Sequence, residues 1–138
     1  MKRNQILDPD KAKTFLKAGR AIITLQSEVT GNHYTYRLTQ SNDKRVIFVS
    51  VLTEGDRYQY AGLLDNCRIR ITKRSKYLPD SIVIKAFNYF GDRLRINRIP
   101  KNLTVMHSGR CGRCGRSLTH PDSVHSGIGP ECKKLIGR

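Results

Sequence analysis

Residues 21–40 read AIITLQSEVTGNHYTYRLTQ. Two β-rich runs flank Gly31-Asn32, a pair that favours tight turns because both residues tolerate positive φ. In the second run Tyr34, Tyr36 and Leu38 alternate with Thr35 and Arg37, the period of a strand with one buried face. The stretch predicts a β-hairpin. Downstream, RVIFVSVLT is almost continuously apolar and reads as a central strand. EGDR turns it into YQYAGLLD, and CRIRITK follows. In that last run Cys67, Ile69 and Ile71 share one face, and Arg68, Arg70 and Thr72 the other. Five strands in succession with short connections predict an antiparallel meander.

Helices are expected on either side. DPDKAKTFLKAG starts with Asp8 as a cap and Pro9 in the first turn, and Gly19 suits its end. After the basic loop RSKYLPDS, Asp80 or Ser81 caps a helix running to about Asn97. Its residues Val83, Phe87, Phe90 and Leu94 form one apolar stripe that should pack on the sheet. Lys85, Asn88 and Arg95 are expected on its other side. Gly91 weakens this helix by about 1 kcal/mol relative to Ala. NLTVMH, residues 102–107, suits a short strand leading into the tail. The expected fold is α+β: a five-stranded antiparallel sheet with a packed helix in a body of residues 1–101, then a zinc-knuckle or treble-clef-like module over 102–138.

The chain has 138 residues, 26 Lys and Arg against 11 Asp and Glu, and a formal charge of +15. Such a field attracts polyanions, and nucleic acid is the default partner. Residues 66–101 hold 10 basic and 2 acidic side chains, the strongest local excess. There Arg68, Arg70, Lys73, Arg74, Lys76 and Tyr77 are the expected nucleic-acid contacts, joined by Arg110, Arg113 and Arg116 around the tail cysteines. Tyr34, Tyr36, Tyr58 and Tyr60 either stack bases beside basic residues or line the core edge with hydroxyls at its rim. No apolar run reaches the roughly 20 residues of a membrane span, and MKRNQILDPDKAK lacks the apolar core of a secretory signal. The expected location is the cytoplasm. Phosphate-binding loops, nucleophile elbows and a deaminase His-x-Glu pattern are missing. The acids are scattered, so no enzymatic activity is expected.

Three of the four cysteines lie in the tail, as Cys111-Gly-Arg-Cys114-Gly and Cys132. Clustered thiols in a reducing compartment point to metal rather than disulfides. Structural zinc takes four Cys or His ligands. The first pair forms a knuckle, and Cys132 follows Gly129-Pro130 at a helix-start pattern, PECKKLIG. Leu135, three residues on, cannot ligate. The fourth ligand is left to His107, His125 or His120, or to Asp122 or water.

The tail HSGRCGRCGRSLTHPDSVHSGIGPEC resembles a motif of phage and prophage proteins: H-x-x-G-x-C-x-x-C-G-R-x-L-T, then P-x-S, then G-I-G-P-x-C. The stretch from FLKAGRAIITLQ to VSVLT is similar to small stand-alone members. The resemblance implies His107 as fourth ligand beside Cys111, Cys114 and Cys132, with His125 the runner-up. It also implies a bacterial host cytoplasm and DNA over RNA. The expected function is a non-catalytic nucleic-acid-binding protein with one structural Zn2+. The alternative is a phage protein that binds and inhibits a host enzyme or defence complex.

Overall fold

The structure is a computed structural model, and it describes residues 4–113, 127 and 128. The hairpin forms as expected: β1 (Arg20–Ser27) runs antiparallel to β2 (His33–Gln40), with Ile23 opposite Tyr36 and Ala21 opposite Leu38. Then come β3 (Ile47–Glu54), β4 (Arg57–Asp65) and β5 (Arg68–Arg70), each paired antiparallel to the strand before it. The meander is therefore present. Asn66 and Cys67 both have positive φ and make the turn between β4 and β5, so the last strand begins one residue later than the pattern suggested.

The strand count differs from the expected five. Leu103–His107 forms β6, which pairs antiparallel with β1 and gives the order β5-β4-β3-β2-β1-β6. Those residues, read as the start of the tail module, are hydrogen-bonded into the sheet. Chain order hid this, because β6 returns to the first strand. The N-terminal segment lines the outer edge of β6: Ile6 N donates to Val105 O at 2.7 Å and His107 N to Asn4 O at 3.0 Å.

Two helices cover one face of the sheet. In α1 (Pro9–Leu16) the Asp8 carboxylate accepts from the amides of Asp10 and Lys11, a bond type whose loss costs about 1 kcal/mol. In α2 (Ile82–Arg95) the buried residues are Ile84, Phe87, Phe90, Gly91 and Leu94, while Val83 is only partly buried. These side chains join Ala21, Ile23, Leu25, Tyr36, Leu38, Val49 and Val51 in one core. Each fully buried Leu or Phe contributes about 1.5–3 kcal/mol. Gly91 is there for proximity: a Cβ at this position would run into the backbone carbonyl of Cys67. Asn88, expected on the helix's outer side, instead accepts from Ile69 N at 2.8 Å and ties α2 to β5. Among the described residues no helix is long and apolar enough to cross a membrane.

Candidate nucleic-acid interface and metal centre

Because side chains alternate along each strand, the sheet face away from the helices is set by register. One row across it reads Ile22, Arg37, Ser50 and Tyr60, on β1, β2, β3 and β4. Three strand spacings make this row roughly 15 Å wide. At its β1 end a cavity of about 400 Å³ is lined by Arg20, Ile22, Arg37, Thr39, Ser108 and Arg110. Neither Arg20 nor Arg37 has a carboxylate within ion-pair distance among the described residues. Ser50 is small, and Arg37 reaches past it to place its guanidinium over the Tyr58 ring, 4.2 Å from the centroid. Burial pushes the Tyr58 phenol above its ordinary pKa, and Arg37's charge only partly opposes this. Phe48, 40% exposed, meets Tyr60 edge-to-face at 6.3 Å. The Tyr60 hydroxyl lies 3.1 Å from that of Thr72 and its carbonyl accepts from Lys76 N, which brings the 72–76 loop alongside.

The residues singled out by charge density fall elsewhere. Arg68 is held by Asp92, with Nη1 3.1 and 3.0 Å from the two carboxylate oxygens. Arg70 pairs with Asp65 at 3.6 Å. Lys73, Arg74 and Lys76 are exposed on the loop. Tyr77, expected at a nucleic-acid surface, packs partly buried against the core, and that burial raises its pKa. The other tyrosines divide. Tyr36 is fully buried, its phenol pKa raised by desolvation, and its hydroxyl donates to Val83 O at 2.6 Å. Tyr34 packs on the core edge. Tyr58 and Tyr60 lie on the outer face. Arg20, Arg37 and Phe48 were missed because they are scattered in sequence. The readable signal was alternation: Arg37 lies between Tyr36 and Leu38, two core residues, so it must point outward.

The tail begins against Phe15. His107 is 4% exposed, and its ring tilts against Phe15 at 5.9 Å between centroids. Its Nδ1 accepts from Gly109 N at 2.9 Å. Cys111 is 1% exposed, and its Sγ accepts from Arg113 N at 3.4 Å. Gly112 O accepts from Arg20 N at 2.5 Å, and Gly112 N donates to Gly127 O at 2.7 Å. A Cβ at either glycine would lie 2.6 Å from the Phe15 ring. Only glycine fits so close to that ring. Ile128 is buried at 2% exposure. Among the described residues no three metal-ligating side chains come together. Cys114, Arg116, His125 and Cys132 lie outside the described residues, as do His120 and Asp122.

A family model described as a family of unknown function (DUF6011) matches residues 101–137, which is β6 and the tail. No curated protein and no solved structure matches the chain significantly.

Proposed function

We propose that this chain is a non-catalytic nucleic-acid-binding protein that grips phosphates on the outer face of its sheet. One observation carries the reading: Arg20, Arg37 and Arg110 line one cavity, and Arg20 and Arg37 have no carboxylate partner among the described residues. Like charges brought together repel, and a bound phosphate relieves that repulsion. The loop residues Lys73, Arg74 and Lys76 extend the field beside Tyr60. The phage-like tail motif favours DNA and a bacterial host cytoplasm.

One Zn2+ held by His107, Cys111, Cys114 and Cys132 would fasten residues 102–138 to the body as a small module. Donor chemistry at the two described ligands supports this: a buried imidazole and a thiol with an amide aimed at its sulfur. The His107 contact sets a condition. Gly109 N–H occupies the Nδ1 lone pair, which leaves the ring proton on Nε2. Ligation at Nδ1 would displace that N–H, and ligation at Nε2 would put the proton on Nδ1, facing the same N–H, so holding a metal would require the Gly109–His107 bond to open. Arg110 lies between His107 and Cys111 in the chain, so metal would also fix one wall of the cavity.

The test is binding of a fluorescent oligonucleotide as salt is raised, with metal content measured on the same samples. Neutralising about three phosphates on a single strand gives a slope of about −2 in log K against log salt. Affinity that does not respond to salt would contradict the proposal. A stoichiometric host protein retained after nuclease treatment would favour inhibition of a host enzyme instead.

A further inference from the structure

We infer that the ligand of this face is a single strand, with a phosphate in the Arg20–Arg37–Arg110 cavity and the adjoining bases stacked on Phe48, Tyr60 and the Arg37 guanidinium plane that Tyr58 supports from below. This rests on the nucleic-acid reading above and names its substrate class. Arg37 links the two halves, because it lines the cavity and also covers the Tyr58 ring. A strand whose phosphate meets Arg37 therefore has its next base beside an aromatic surface. Cross-strand packing by itself accounts for the Phe48–Tyr60 pair. It does not account for such a pair next to Arg37, which has no carboxylate partner among the described residues, at a solvent face where Phe48 stays 40% exposed. Rings beside cations are how proteins hold unpaired bases, since every base has a π-face. A duplex keeps its bases stacked on one another and offers this surface only phosphates.

The experiment compares a short single-stranded DNA, the same sequence as RNA, and a matched duplex, by anisotropy at fixed salt, on the full chain and on Tyr58→Ala, Tyr58→Phe and Phe48→Ala. All three variants change half-exposed or exposed side chains, and circular dichroism confirms that they fold. The single strand should bind at least about tenfold tighter than the duplex, and Tyr58→Ala should weaken it by about tenfold. Tyr58→Phe should bind as wild type, and duplex binding should be unchanged by any of the three. The DNA and RNA arms tell which backbone is preferred. Duplex affinity equal to the single strand's, with Tyr58→Ala neutral on both, overturns the inference and leaves phosphate binding standing. No binding of the wild-type chain to any of the three nucleic acids overturns both.

Discussion

Two groups of basic residues on this protein look alike in composition and differ in what surrounds them. Arg68, Arg70, Lys73, Arg74 and Lys76 are nearly contiguous in the chain, and its two strand arginines are held by Asp92 and Asp65. Arg20, Arg37 and Arg110 are spread over most of the chain, yet register and the β6 return bring them to one cavity. Local density in sequence therefore overstates the first group and conceals the second. An arginine facing its own carboxylate must exchange that partner for a phosphate, whereas Arg20 and Arg37 have no carboxylate to exchange among the described residues.

The largest expected effect comes from the residue that seats the second group. Phe15→Ala removes a fully buried ring flanked by His107, Gly112 and Gly127. It should cost about 3–5 kcal/mol in denaturant unfolding and loosen the segment that carries Arg110. Next is the scaffold of the first group. Gly91→Ala drives a methyl into the Cys67 carbonyl, so α2 must shift off β5, at a cost of about 1–3 kcal/mol. Its affinity for oligonucleotide, measured where the protein is still folded, should hardly change. Arg37→Ala should leave stability within about 0.5 kcal/mol and weaken binding about tenfold, through its phosphate contact and its cover of Tyr58. Smallest is Arg68→Ala, which breaks a half-exposed pair with Asp92 worth about 0.2–1 kcal/mol. It should alter unfolding slightly and binding least of all.

Much of the fold was readable because periodicity and turn chemistry are local. The hairpin, the meander, the Asp8 cap and most of the α2 stripe follow from residue spacing. A strand at residues 102–107 was also expected, but its place in the sheet was not, because pairing β6 with β1 is decided by which edge of the finished sheet is left open. Gly91 was read as a weak point in a helix, since only the assembled packing reveals the Cys67 carbonyl beside it. For the candidate site, a face was legible but a neighbour was not. Alternation puts Arg37 outward, yet nothing in the chain order says that Tyr58 lies under it or that Arg110 returns beside it. Likewise Arg68 could be counted as a charge, while Asp92, 24 residues on, was not recognisable as its partner. The tail cysteines were conspicuous; the packing of His107 and Gly112, on either side of Cys111 in the chain, against Phe15 was not.

The central claim is that the dispersed arginines, and not the carboxylate-paired Arg68 and Arg70, hold the polyanion. The measurement that tests it most directly is the salt slope of single-stranded oligonucleotide binding for wild type, for Arg20→Ala/Arg37→Ala, and for Arg68→Ala/Arg70→Ala. Losing the one phosphate seated in the cavity should flatten the slope by about 0.7 in the first double variant and leave it unchanged in the second. A flattened slope in Arg68→Ala/Arg70→Ala with a wild-type slope in Arg20→Ala/Arg37→Ala would contradict the account.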